Sequence, residues 1–151
     1  MPAPNERSKD KEDLPTARGT GVIFHIKSTD TFMFFLRDDK DWIPFPNMID
    51  IIGGYVEDEE QPSDAIMREL AEELEFQDNG EPFQPEHVSP FCIYVDDRGV
   101  EQNIYGCELE DIPRLTLKEG QWLVFLNRDE LATTDFAFDF RQVILDYART
   151  V

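Results

Sequence analysis

Between Gly54 and Phe76 the chain reads Gly54, five residues, Glu60, seven residues, then Arg68-Glu69-Leu70-Ala71-Glu72-Glu73. On a helix, at about 100° per residue, Glu69, Glu72 and Glu73 share an arc of about 100°, while Ile66, Met67, Leu70 and Leu74 form a separate apolar arc. Carboxylates at i, i+3 and i+4 repel, by a few tenths of a kcal/mol per exposed pair and by more where water is excluded. A cation offsets that repulsion, and hard oxygen donors on short spacing suit Mg²⁺ or Mn²⁺, which also accept phosphate oxygens. A solvated acidic face is the ordinary reading of one Glu-Glu pair in so acidic a chain. The full pattern of Gly, Arg, aliphatic and four Glu has a chance probability on the order of 10⁻⁵, and favours a metal site.

These residues resemble the Nudix hydrolase box, written Gx5Ex7REUxEExGU with U aliphatic or aromatic. Gly54, Glu60, Arg68, Glu69, Leu70, Glu72, Glu73 and Phe76 fall in place, and Glu75 stands where the box has its last glycine. Phe34-Phe35-Leu36-Arg37 and Lys118-Glu119-Gly120-Gln121 also look like the family, which extends the resemblance over most of the chain after Arg18. The missing glycine ordinarily ends the helix at a left-handed position, where a Cβ costs about 1 kcal/mol or more. A helix running further toward Asn79-Gly80 is therefore expected, with the metal positions untouched. At the other end Gln61 replaces a Ser or Thr cap before Pro62, and Asp64 compensates through the helix dipole.

The resemblance implies roles. Glu69, Glu72 and Glu73 would be metal ligands for Mg²⁺ or Mn²⁺, joined by the Gly53 carbonyl. Arg68 points away from the metal arc and would orient nearby carboxylates, with Glu60 as its partner or as an extra ligand. Two residues compete as general base: Glu69, and Glu119, which resembles a loop glutamate of MutT-type members. Spacing does not separate them. Trp42 and Phe45 in a proline-containing loop, and Phe136 and Phe138 before the last helix, are candidates to stack on a base or ribose, against the commoner role of packing. Gln102 and Asn103 could reach a base edge or face solvent.

These residues need a scaffold. Thr20–Lys27 and Thr31–Arg37 read as strands around a Ser28-Thr29-Asp30 turn, 38–48 as a loop broken by Pro44 and Pro46, and Ile49–Ile52 as a short strand entering Gly53-Gly54. The box helix starts at Pro62, and Phe76–Glu86 is a connector. Val88–Val95 and Val100–Leu109 form a hairpin, Gly120–Asn127 a strand, and Phe138–Arg149, with Phe140, Val143, Ile144 and Tyr147 in helical register, an amphipathic helix. A mixed central sheet flanked by helices follows, in accord with the Nudix α/β/α sandwich that the resemblance implies.

The 151 residues suit one domain, with a flexible tail over 1–18 and the Nudix domain over 19–151. A net charge of −19 disfavours nucleic acid polymers and anionic membranes as partners, but leaves room for a small nucleotide-derived substrate where cations invert the local potential. No apolar run spans a bilayer and no leader is read, so a cytoplasmic protein with reduced Cys92 and Cys107 is expected. The resemblance also allows a homodimer, with no interface assigned. The expected activity is divalent-metal-dependent hydrolysis of a nucleoside diphosphate linked to another moiety: a nucleotide sugar, a dinucleotide or a modified nucleoside triphosphate. The alternatives are a catalytically silent Nudix-fold module that senses a nucleotide, and an acidic protein-interaction domain.

Overall fold

The computed structural model describes residues 17–151. The tail expected over 1–18 lies, for residues 1–16, outside the described residues. Its last position, Arg18, opens the first strand.

β1 (Arg18–Ile26) is the centre of the sheet. One edge pairs in parallel with β7 (Glu101–Leu109), residue for residue from Arg18↔Glu101 to Ile26↔Leu109. The other edge is shared: its second half pairs antiparallel with β2 (Thr31–Leu36), its first half with β4 (Ile52–Tyr55). β9 (Leu123–Asn127) runs along the outer edge of β2, β3 (Ile49–Asp50) pairs with the end of its inner edge beyond β1, and β6 (Ser89–Val95) closes the far side against β7. The result is a seven-stranded mixed sheet. A strand paired on both edges and covered on both faces holds apolar or hydrogen-bonded side chains, and β1 is buried from Gly19 onward, with Thr20 bonded to the Asn103 carbonyl and His25 to Asp30 and Glu108.

Helices cover the two faces. Below lies α1 (Pro62–Glu73), whose Ile66, Leu70 and the following Leu74 pack on Val22, Phe24, Met33 and Ile52. Above lie α2 (Arg128–Leu131) and α3 (Arg141–Ala148), whose Leu131, Val143, Ile144 and Tyr147 pack on Ile23, Phe32, Phe34 and Ile104. α2 is fixed by a capping box in which the Asn127 side chain accepts from the Glu130 amide and Glu130 accepts from the Asn127 amide. Its Arg128 donates to Asp30 at 3.0 Å and to the carbonyls of Ala148 and Val151, and lies over the Phe32 ring, so one guanidinium ties the β1–β2 turn to the end of α3. No helix of the described residues is long and apolar enough to cross a membrane.

The longer elements fall close to where the sequence pattern puts them. The end of α1 does not. Leu74 is already extended, with φ −131° and ψ 137°, while its N–H still donates to the Leu70 carbonyl. The expected run toward Asn79-Gly80 is therefore corrected: the chain leaves the helix directly into β5 (Leu74–Phe76), which pairs antiparallel with β8 (Leu115–Leu117) in a separate two-stranded sheet. Glu75 sits opposite Thr116 and pairs with Lys118 at 3.3 Å. A helix that exits into a strand needs no left-handed cap, and so it does not need the glycine.

Restoring that glycine is expected to weaken the protein. Glu75→Gly should lower stability by about 0.5–1 kcal/mol in a urea titration, because a strand interior, not a helix cap, occupies the position.

Candidate functional site

α1 borders, through Arg68, Glu69 and Glu73, a cleft of about 560 Å³ between β4, the end of β2, the loop 38–47 and the turn that holds Glu119. The helix begins at Pro62, with an uncapped Gln61 before it and Asp64 in its first turn. Burial of Ile66 and Leu70 fixes the rotation of the helix and turns Glu69, Glu72 and Glu73 to one side. Each of these three offers a carboxylate oxygen, all within 4.8 Å of one another. Gly53 and Gly54 line the same cleft from β4. A Cβ at Gly53 would overlap the Thr20 carbonyl of the backbone, which excludes a side chain there, and one at Gly54 would displace the Glu69 carboxylate.

Arg68 binds the acidic group together. Its Nε and Nη2 donate to the two carboxylate oxygens of Glu60 at 2.8 and 3.0 Å, and Nη2 also donates to the Tyr55 carbonyl at 3.0 Å. Its Nη1 reaches Glu69 at 3.1 Å and Glu72 at 3.3 Å. Such a fork is the strong form of a charge-assisted pair. Arg68, with the Glu57 amide, holds the Glu60 carboxyl down to about 2. Glu60 is thus a partner of Arg68, and its backbone carbonyl accepts from Arg18 at 3.0 Å.

The remaining carboxyls are under stress. Burial raises Glu69 above its ordinary value, against the pull of Arg68. Glu73 is pushed up to about 7, first by burial and then by the charge and hydrogen bond of Glu119, which lines the cleft beside the end of the helix. Contact between two carboxyls disfavours ionisation of the pair, and here the shift falls on Glu73. An all-oxygen set of clustered carboxylates beside the Gly53-Gly54 backbone has the chemistry of a hard divalent cation site, and Glu69, Glu72 and Glu73 could hold one.

A second, smaller recess of about 220 Å³ adjoins the cleft and shares Arg37, Gly53, Gly54 and Tyr55 with it. Phe138 and Phe140 form one wall, Arg98 and Asp50 lie in others. Arg37 and Arg98 both sit on the Phe138 ring, at 5.3 and 4.5 Å from its centroid, and Phe45 packs on it at 4.6 Å. Arg37 donates to Asp50 at 2.9 Å; burial nevertheless pushes the Asp50 carboxyl up to about 6. Arg98 donates to Asp96 at 2.9 Å. Burial opposes ionisation of Asp96, but hydrogen bonds from Gln102, the Val100 amide and Arg98 outweigh it and lower the carboxyl.

Of the four aromatic candidates, Trp42 lines the cleft and is largely exposed, and Phe138 lines the recess with Phe45 behind it. Phe136 lines neither. It is buried against Phe34 at 5.1 Å, a core residue. Gln102 lines the recess, its side chain donating to Asp96, whereas Asn103 is buried and donates to the Gly19 carbonyl. Sequence reasoning passed over Asp50 and Arg98, and noted Arg37 only as part of a family-like stretch. The one hint to them is geometric: Phe45, Asn47 and Phe138 are non-glycine residues at φ 50°, 58° and 59°. Strain of this kind collects at functional sites and has no marker in residue type.

The chain matches the model of the NUDIX domain over residues 15–146. No curated protein matches it in sequence. Among solved structures it is similar to the NUDIX domain of Shewanella oneidensis NrtR complexed with ADP ribose, at 14% identity and TM-score 0.71, with 99% of this chain and 100% of that one covered. It is also similar to MutT from Aliivibrio salmonicida and Vibrio cholerae, at 18% identity and TM-score 0.69, covering 89% and 98%. A third likeness is to a bifunctional NMN adenylyltransferase/ADP ribose pyrophosphatase from Francisella tularensis, at 17% identity and TM-score 0.64, covering 95% of this chain and 44% of that one. At such identities these structures establish the fold.

The Glu73–Glu119 contact has a pH signature. A carboxyl raised from 4.5 toward 7 binds its proton more tightly in the folded state, so its contribution to stability falls as pH rises between those values. Glu119→Gln removes the opposing charge. The variant should match the parent in urea midpoint at pH 5 and exceed it at pH 8; equal midpoints at both would mean the two groups do not interact.

Proposed function

The chain belongs to the NUDIX family, as a Nudix hydrolase, and we propose that it is a divalent-metal-dependent pyrophosphohydrolase acting on a small nucleotide derivative in the cytoplasm. The observation that carries this is the clustering of Glu69, Glu72 and Glu73 around one point, with Glu119 in contact with Glu73 beside them. Mg²⁺ or Mn²⁺ held by those three glutamates, with the Gly53 carbonyl as a further oxygen, would neutralise diphosphate charge and acidify the attacking water. The free thiols of Cys92 and Cys107 fit a reducing compartment.

The side chains divide the remaining work. Arg68 keeps Glu69 and Glu72 aimed at a common point and Glu60 holds Arg68 there. Glu69 is engaged by Arg68 and packed on Gly54, so its freedom to take and release a proton is small. Glu119 approaches from a turn and already shares hydrogen bonding with Glu73. We assign it as the acceptor of the proton from the attacking water. The diphosphate lies in the cleft, and the recess bounded by Phe138, Arg37 and Arg98 takes one of the linked organic moieties, with Trp42 at the rim.

ADP-ribose is one substrate to test, since two of the similar structures are of proteins described with ADP ribose. A modified nucleoside triphosphate is the other, and release of pyrophosphate would identify it. A module that only senses its nucleotide has no use for a complete set of box glutamates, which weighs against that reading. An acidic interaction domain explains the charge but not the cluster.

Incubation with Mg²⁺ or Mn²⁺ and a panel containing ADP-ribose, nucleotide sugars and oxidised dGTP should yield phosphorylated products from at least one compound. Glu72→Gln and Glu73→Gln should each cut turnover by about 10²–10³-fold. Both cations should raise the melting temperature of the parent more than that of either variant. Full turnover in these variants would remove the assigned ligands, and nucleotide binding with no product would return the sensing module.

A further inference from the structure

On the assignment of Glu119 as proton acceptor, we propose that Gln121 is a positioning residue: its side-chain amide couples the 38–47 wall of the cleft to the Glu119 carboxylate. The turn that bears Glu119 is held at both ends. On one side the Lys118 amide donates to the Glu73 carbonyl at 2.8 Å and its ammonium pairs with Glu75. This ties the turn to the end of α1. On the other side the Gln121 amide donates to the Leu36 carbonyl at 2.8 Å, and the Gln121 side chain crosses to the opposite loop.

That crossing uses the full donor capacity of the side chain. Nε2 donates to the Arg37 carbonyl at 2.7 Å and to Asn47 Oδ1 at 2.9 Å, the first and last parts of the loop. Asn47 is held at φ 58° and its own amide closes the loop on the Asp38 carbonyl at 3.1 Å. Between these ends lie Asp38, Lys40, Trp42 and Ile43, all in the cleft wall. Gly120, between Glu119 and Gln121, stands at φ +99° with Phe35 and the Leu36 carbonyl where a Cβ would go, so the turn has little room to absorb a displacement. A shift of the substrate-facing loop is therefore passed through one amide to a residue two positions from Glu119. An exposed loop pinned this way responds to whatever touches Trp42 and Lys40, and delivers that response where the proton is handled.

Two measurements test this. Hydrogen exchange of the full chain, with Mg²⁺ and methylenediphosphonate as a non-hydrolysable probe, should slow in both 38–47 and 117–123. In Gln121→Met, which keeps length and loses the donors, exchange in 117–123 should quicken by about tenfold and no longer slow with the probe. Asn47→Gly, which removes one acceptor and accepts the backbone conformation, should give part of the effect. In kinetics with the best nucleotide of the panel, Gln121→Met should lower kcat by about tenfold with KM within about twofold. It should add no further loss in a Glu119→Gln background, and Gln121→Lys, which restores donors to both oxygens, should recover kcat. Joint protection that survives in Gln121→Met, or a loss that adds to that of Glu119→Gln, would overturn the proposal. If the parent cleaves none of the panel, the pyrophosphohydrolase reading fails, while the exchange experiment still decides the coupling.

Discussion

Repulsion among Glu60, Glu69, Glu72, Glu73 and Glu119 is the constraint around which the rest of the structure is arranged. These carboxylates converge in a chain of net charge −19, where distance alone would drive them apart. Arg68 answers one half of the problem. Its fork takes both oxygens of Glu60, its remaining nitrogen spans Glu69 and Glu72, and its contact with the Tyr55 carbonyl fixes the guanidinium against β4. The other half is left unanswered at Glu73 and Glu119, where burial and the Glu119 charge raise the Glu73 carboxyl to about 7, so that proton uptake at Glu73 relieves the charge. A site that relieves part of its repulsion only by holding a proton, or by accepting a cation, is poised to exchange one for the other.

Backbone close to the cluster is shaped to permit this crowding. Gly54 gives the Glu69 carboxylate the space a side chain would take, and Gly53 lets β4 lie against β1 at Thr20 and Gly21. Nearby, Phe45, Asn47 and Phe138 adopt left-handed conformations that side chains with a Cβ disfavour, and Phe45, Phe138, Arg37 and Arg98 stack there in one group. Packing on both faces of the sheet supplies the stability that offsets this local cost.

What the sequence makes legible is what local chemistry dictates. Helical spacing fixes the common face of Glu69, Glu72 and Glu73, because rotation of α1 is set by Ile66 and Leu70, which are part of the same pattern. Alternation and β-branched runs mark β1, β2, β6 and β7. The exit of α1 into β5 was not legible, because it depends on pairing with Leu115–Leu117, some forty residues away. Phe136 and Phe138 show the same limit: two positions apart and of one residue type, they face a core and a recess respectively. Arg98 and Asp50 join the recess only through strand order, which leaves no trace in their neighbours along the chain.

The shared edge of β1 has a kinetic corollary. The glycines beneath the glutamate cluster sit on β4, β4 is registered on the first half of β1, and the opposite edge of β1 must find β7 across a separation of 83 residues. Closing a loop of that size costs entropy before its contacts form, and such distant partners slow the folding of a mixed α/β topology. α1 can form its turns early, but the floor on which its carboxylates rest is assembled only when the ladder has closed. During synthesis, the nascent protein therefore presents an anionic helix, paired only through its own Arg68, before β7 has left the ribosome, and the glutamate cluster gains its floor late.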